Sequence, residues 1–115
     1  MCDQQQAIEI LGEVYTACSP ILRNSINDAY LYGSYARGDY HAESDIDILL
    51  TVDLEAEAIS ECRRSLALVV SDLCLAHDIT VSVVVKPLAQ FKQYAEILPY
   101  YKNVLKEGIR YQPER

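Results

Sequence analysis

The sequence predicts an α+β fold with two layers, in which helices pack on one face of a small mixed β-sheet. Apolar residues recur at helical spacing in some segments, whereas other segments are short runs rich in β-branched or aromatic residues. These segments follow in the order helix, strand, strand, helix, strand and helix. With 115 residues, of which 50% are hydrophobic, the chain is long enough for one domain, over 1–115, with one modest core.

The first half of the chain contains one helix and two strands. A helix is predicted from Gln4 to Cys18, because apolar side chains there repeat every three or four residues, and Ser19-Pro20 ends it. After an ambiguous connection, residues 29–32 form a short buried strand that runs into Gly33. A polar turn and loop follow. Residues 45–52 then form the second strand, with apolar and acidic side chains on opposite faces.

The second half contains the longest helix, a third strand and two further helices. Residues 54–76 have a 3-4-3 apolar spacing, which is typical of an amphipathic helix. The β-branched run 79–85 predicts a strand that Lys86-Pro87 ends. Two helices are then predicted, over 88–97 and 100–107, and Gly108 follows as the C-terminal cap.

Charge and cysteine usage limit the class of protein. A net charge of −7 argues against a surface that grips long nucleic acids by their phosphates, although a divalent cation would still allow an acidic chain to bind a triphosphate. No apolar run approaches the roughly 20 residues of a membrane span, and the first residues do not resemble a signal peptide. The four cysteines are far apart, without a Cys-x-x-Cys pair, which favours free thiols. We therefore expect a cytoplasmic protein.

Asp45 and Asp47 are the candidate metal ligands. Two acidic residues two positions apart on a strand project from the same face, because strand side chains alternate. Carboxylates that close repel each other unless a cation neutralises both. Hard carboxylate oxygens favour magnesium, so the pair predicts a Mg²⁺ site.

Gly33 and Ser34 are the candidate phosphate ligands. They lie where a predicted strand ends and a turn begins, and glycine there allows backbone amides to approach phosphate oxygens closely. The serine hydroxyl adds a donor, and Arg37 is close enough in sequence to reach a phosphate. If the two strands are neighbours, this cradle and the aspartate pair meet at one sheet edge, as phosphoryl or nucleotidyl transfer requires.

Either motif alone has an ordinary explanation, since Gly-Ser is a common dipeptide and Asp-x-Asp is usually a solvated strand edge. Together they resemble the signature of the nucleotidyltransferase superfamily that includes DNA polymerase β. Gly33-Ser34 is followed by ten residues and then by Asp45-Ile46-Asp47. The details that match the minimal nucleotidyltransferase (MNT) branch are Ala36-Arg37-Gly38, Ser44 and the Tyr-x-Asn-Val-Leu-x-Glu-Gly tail over 101–108.

The resemblance implies a fold, a reaction and a partner. The fold is that of a nucleotidyltransferase. In the implied reaction an acceptor hydroxyl attacks the α-phosphate of ATP and expels pyrophosphate, with two Mg²⁺ ions assisting. Asp45 and Asp47 would hold the metal, and Gly33, Ser34, Arg37 and Ser44 would bind the nucleotide. Members of the branch act as antitoxins beside HEPN-domain RNase toxins and can transfer AMP to a toxin tyrosine.

One position departs from this pattern. The superfamily usually has a third acidic residue on a neighbouring strand, and the residue that aligns there is Ser82. Asp78 is four positions before Ser82, or about 13 Å along a strand, which is too far to replace it. Asp53 is six positions beyond Asp47, or about 20 Å along a straight strand, which is too far to assist the aspartate pair. Glu43 remains an alternative through a loop. The second hypothesis is therefore an inactive antitoxin that neutralises its toxin by binding alone, and small-molecule transfer of the aminoglycoside type ranks third.

Two histidines and several tyrosines are secondary candidates. His41 is expected to be an exposed loop residue rather than a proton shuttle, and His77 to cap the long helix. Most of the nine tyrosines are expected in the core or at its boundary. The tyrosines with a candidate stacking or interface role are Tyr35, Tyr40, Tyr100 and Tyr101.

Overall fold

The computed structural model describes residues 2–112. It contains a four-stranded mixed sheet and five helices, so the predicted α+β class is confirmed. No helix within 2–112 is both long and apolar enough to cross a membrane. The elements are α1 (Gln4–Cys18), β1 (Ile26–Tyr32), α2 (Ser34–Arg37), β2 (Ile46–Val52), α3 (Ala56–His77), β3 (Val81–Pro87), α4 (Leu88–Tyr94), α5 (Pro99–Glu107) and β4 (Ile109–Arg110).

Helix α1 has the predicted bounds because its start is fixed locally. The Asp3 side chain accepts a hydrogen bond from the Gln6 amide, and the Gln6 side chain accepts one from the Asp3 amide. This capping box satisfies two amide groups that the first helical turn leaves unpaired. One stripe of the helix, which includes Ala7, Leu11 and Val14, is buried against the sheet.

The strands are arranged in the order β3-β2-β1-β4. β1 pairs antiparallel with both β2 and β4, whereas β2 and β3 are parallel and are joined through α3. β1 begins at Ile26, earlier than predicted, with a register irregularity between Ile26 and Asp28. The hydroxyl of buried Thr51 accepts a hydrogen bond from the Asp28 amide and stabilises this irregular start.

Helices cover both faces of the sheet, which differs from the predicted single face. α1 and α3 pack on the face that carries Ile48 and Leu50. On the opposite face, Leu49 packs in a second apolar cluster with Phe91 of α4 and Tyr101 of α5. Because successive strand residues point to opposite faces, Asp47 lies on the same face as Leu49.

Several element ends were predicted wrongly in the second half. β3 continues through Lys86 and Pro87, which is possible because β3 is an edge strand where proline loses no ladder hydrogen bond. α4 ends at Tyr94, earlier than predicted, and β4 was not predicted at all. Gly108 follows α5 with extended dihedral angles. A side chain at Gly108 would collide with the Val104 carbonyl oxygen, so close packing requires this glycine.

Candidate active site

The Gly33 turn lies directly against the Asp47 carboxylate. Tyr32, the last residue of β1, is the antiparallel partner of Asp47 in β2, and Gly33 follows it. A Cβ atom added to Gly33 would lie 2.5 Å from Asp47 Oδ2. Gly33 also has φ +77° and ψ −155°, a conformation that only glycine adopts readily. The predicted meeting of the Gly33 turn with the aspartate pair is therefore confirmed for Asp47, while the binding roles of these residues stay predictions.

Helix α2 begins at Ser34 and presents the backbone groups expected of a phosphate cradle. The Gly33 carbonyl accepts hydrogen bonds from the amides of Ala36 and Arg37. The preceding amides, those of Ser34 and Tyr35, have no acceptor within the helix because they belong to its first residues. Together with the closely approaching Gly33, they can bind anionic oxygens.

The electrostatics of Asp45 and Asp47 favour a bound cation. Asp47 is half-buried and Asp45, directly before β2, is exposed. Burial raises the pKa of Asp47 above its ordinary value, the charge of Asp45 raises it further, and Arg37 opposes both effects. A divalent cation would relieve this repulsion, and carboxylate oxygens suit Mg²⁺. Among residues 2–112 no three His, Cys, Asp or Glu side chains form a metal-binding group, so nucleotide and water oxygens would have to complete the coordination.

Ser82 lies beside Asp47, at the position that the family resemblance predicted for it. In the parallel β2–β3 pair, Asp47 is the register partner of Ser82. Tyr32, Asp47 and Ser82 therefore form a row across three strands on one face, with strands about 4.8 Å apart. Ser82 is exposed at the end of this row.

The alternative carboxylates are not in that row. Asp78 is the C-cap of α3, with φ +51°, and lies outside β3. Asp53 follows the far end of β2, where its amide donates to the Ser25 carbonyl. Glu43 lies in the exposed loop before Asp45, and its amide donates to His41 Nδ1.

Arg37 and Ser44 are placed differently with respect to the site. The Arg37 guanidinium forms ion pairs with Asp39 at 3.2 Å and with Glu107 at 3.5 Å. Such exposed ion pairs contribute little to stability, so a triphosphate can replace Asp39 and Glu107 as the partner of Arg37. Ser44 Oγ accepts a hydrogen bond from the His41 amide at 2.9 Å, which shapes the loop that leads into Asp45. For Ser44 this contact indicates a positioning role, and nucleotide contact stays a prediction.

One side of α5 borders the candidate site, a placement that the sequence did not predict. A cavity of about 220 Å³ lies between this side of α5 and the Gly33 turn. The Tyr100 hydroxyl donates to the Tyr32 hydroxyl at 2.9 Å, and their rings meet edge to face. Tyr100 was a candidate, whereas Asn103, Val104 and Glu107 were matched only as part of the tail over 101–108 and were given no role at the site. The lining residues are Tyr32, Gly33, Arg37, Tyr100, Asn103, Val104 and Glu107.

Two of the candidate tyrosines belong to the core. Tyr35 is 0% exposed and its ring stacks on that of Tyr40 at 4.5 Å. Tyr101 is 3% exposed and accepts a hydrogen bond from Gln90. A surface role for Tyr35 and Tyr101 was therefore wrong, and of the C-terminal pair Tyr100 alone is exposed.

The histidines and cysteines lie as expected. His41 is exposed in its loop. His77, in the last turn of α3, pairs with Glu13 at 2.9 Å, which fits a helix-terminal role rather than a catalytic one. All four cysteines are free thiols.

Comparison with known proteins identifies the class to which this site belongs. Residues 18–111 match the family described as nucleotidyltransferase domain, and the chain belongs to that family. It is a nucleotidyltransferase.

Individual relatives are similar along most of the chain. Two proteins of Methanocaldococcus jannaschii carry the name "putative protein adenylyltransferase". The first is 36% identical over 80 residues, which are 70% of this chain and 79% of the relative. The second is 31% identical over 107 residues, which are 92% of this chain and 95% of the relative. A crystal structure of a mutant toxin–antitoxin complex, MntA–HpeT, contains a chain with a TM-score of 0.52 and 18% identity, matched over 94% of this chain and 74% of that one, and it shows the same fold.

Proposed function

We propose that this protein transfers AMP from ATP to a hydroxyl group of a partner protein, with Mg²⁺ bound by Asp45 and Asp47. The observation that carries the proposal is the close approach of Gly33 to the Asp47 carboxylate, which supports a phosphate cradle and a metal ligand at the same point. The two relatives named for protein adenylyltransfer support AMP as the group transferred and a protein as the acceptor.

The roles of the individual residues follow from their positions. The Gly33–Ser34 amides and Arg37 bind phosphate oxygens and orient the triphosphate. Asp45 and Asp47 hold Mg²⁺, which when bound polarises the α-phosphate and stabilises the pyrophosphate leaving group. The acceptor oxygen forms a bond to the α-phosphorus, the bond from that phosphorus to the pyrophosphate oxygen breaks, and the acceptor proton is released to water. The cavity beside Tyr100 and Asn103 is adjacent to the cradle and can accommodate part of the nucleotide.

The acceptor is proposed to be a tyrosine of a HEPN-domain RNase toxin, which would make this chain the antitoxin. Two observations support the pairing: the details that resemble the MNT branch, which are Ala36-Arg37-Gly38, Ser44 and the tail over 101–108, and the solved structure of the same fold that belongs to a toxin–antitoxin complex.

Transfer of labelled AMP tests the proposal directly. The purified protein is incubated with the co-encoded partner, Mg²⁺ and ATP labelled on the α-phosphate, and the partner is analysed for label and by mass spectrometry. We expect a labelled tyrosine, and no label when Asp45→Ala and Asp47→Ala are combined. The proposal fails if the partner remains unlabelled with Mg²⁺ present, or if the double variant labels it equally well.

A second candidate function is neutralisation by binding alone. It is favoured by one observation, the neutral Ser82 beside Asp47 at the place where a carboxylate would assist attack. In that case the Asp45→Ala and Asp47→Ala double variant would still protect cells that express the toxin. Loss of protection in a double variant that still binds the partner would instead favour catalysis.

A further inference from the structure

The row formed by Tyr32, Asp47 and Ser82 has a carboxylate at its centre and an uncharged side chain at each end. Asp47 has Tyr32 as its neighbour on β1 and Ser82 as its neighbour on β3. Asp45 is the second carboxylate, and no third His, Cys, Asp or Glu side chain joins them within residues 2–112. The protein thus contributes two carboxylates to the site, and any bound ion has to complete its coordination with nucleotide and water oxygens.

A second divalent ion requires more than these residues supply. In two-metal sites the ions lie about 3.5–4 Å apart and share anionic ligands that offset their mutual repulsion. Mg²⁺ also demands close to octahedral oxygen coordination and usually binds through one or two carboxylates together with phosphates and water. A first ion can therefore be satisfied by Asp45, Asp47 and the triphosphate. An ion on the far side of Asp47 would meet the uncharged hydroxyl of Ser82.

We propose that this active site binds one divalent ion with its nucleotide, and that the neutral side chain of Ser82 excludes a second ion. This differs from the two ions that the family resemblance implies, and it rests on the proposed function because the bound ion is the one that accompanies the triphosphate. The position of Ser82 links this residue to the number of bound ions. Ser82 is exposed and directly beside Asp47, so a carboxylate placed there would face the same space as Asp47.

Manganese replaces magnesium in the experiment because Mn²⁺ can be counted by electron paramagnetic resonance. The full-length protein is saturated with a non-hydrolysable ATP analogue and titrated with Mn²⁺, and the spectrum of the analogue with Mn²⁺ alone is subtracted. The variant Ser82→Asp adds the carboxylate, and Ser82→Asn is its uncharged control of equal size. Both substitutions fall at an exposed position, so neither disturbs the core.

The expected wild-type result is one bound Mn²⁺ per chain with the spectrum of an isolated ion. Ser82→Asp is expected to bind two, with the spin coupling of neighbouring ions, and Ser82→Asn to behave as the wild type. Two coupled ions in the wild-type protein would overturn the inference and leave the proposed function intact. A single ion in Ser82→Asp would overturn the role of Ser82. If the wild type retained no Mn²⁺ with the nucleotide, both the inference and the proposed function would be wrong.

Discussion

Replacement of Gly33 by alanine is expected to damage the site more than the fold. The new Cβ atom would lie 2.5 Å from Asp47 Oδ2, whereas ordinary contacts begin near 3.4 Å, so the carboxylate has to move by roughly 1 Å. A misplacement of about 1 Å in an active site can reduce the rate about 100-fold. The backbone adds its own cost, since an alanine held at φ +77° costs of order 1–3 kcal/mol.

Gly38→Ala is the matched control for this substitution. Gly38 also has a positive φ, +90°, but no atom lies within 4 Å of an added Cβ. Both variants are therefore expected to lose stability in urea titrations, by about 1–3 kcal/mol for Gly33→Ala and about 1–2 kcal/mol for Gly38→Ala. AMP transfer to the partner, assayed at a temperature where each variant is folded, is expected to fall about 100-fold for Gly33→Ala and to remain within a fewfold of wild type for Gly38→Ala.

Two results would refute this reasoning. If Gly33→Ala transferred AMP at the wild-type rate, the close approach to Asp47 would have no functional meaning. If Gly38→Ala lost as much activity as Gly33→Ala, backbone strain in the α2 turn would be the cause rather than contact with the carboxylate.

Three further substitutions test other parts of the structure. Asp47→Asn should stabilise the metal-free protein at neutral pH while it abolishes metal binding. Burial and the charge of Asp45 raise the pKa of Asp47, so ionisation of Asp47 opposes folding above that raised pKa. The stability advantage of the variant should therefore disappear as the pH falls below 3.8, the ordinary pKa of an aspartate. Urea titrations across this pH range measure the difference in free energy of unfolding, and an advantage that grew on acidification would contradict the prediction. Asp3→Ala removes the α1 cap and should lower the free energy of unfolding by about 1 kcal/mol, whereas Gln5→Ala, at an exposed position, should not. Phe91→Ala removes a ring that is 4% exposed and should cost about 3–5 kcal/mol in thermal or urea unfolding, and a loss below about 1 kcal/mol would mean that α4 does not pack as described.

The sequence predicted best the features that neighbouring residues determine. α1 was placed correctly because its apolar spacing and its end signal, Ser19-Pro20, are local. The alternation in β2 was sufficient to separate Asp47 from the apolar side chains on either side of it. The Gly33 turn was located because glycine directly follows a strand-like run, and the structure brings it to Asp47.

Features that depend on tertiary pairing could not be predicted. β4 is two residues long, and its pairing with β1 is supported by an ion pair between Arg110 and Asp28 at 2.7 Å. The early start of β1 depends on Thr51, which is distant in sequence. Asn103 and Glu107 were matched only as part of the tail over 101–108, and their place at the site could not be predicted because it arises only when α5 packs across β1. Apolar spacing within a helix does not specify which face of a sheet the helix will cover.

The alternation along β2 makes correct folding and catalytic competence inseparable. Ile46 and Ile48 point into the core while Asp47, between them, points to the site. A slip of one residue in the pairing of β2 would bury a charged group among aliphatic side chains and leave two isoleucines in water, so the misaligned chain would be both unstable and inert. Enzymatic turnover would therefore report directly on the fraction of molecules with the native strand alignment.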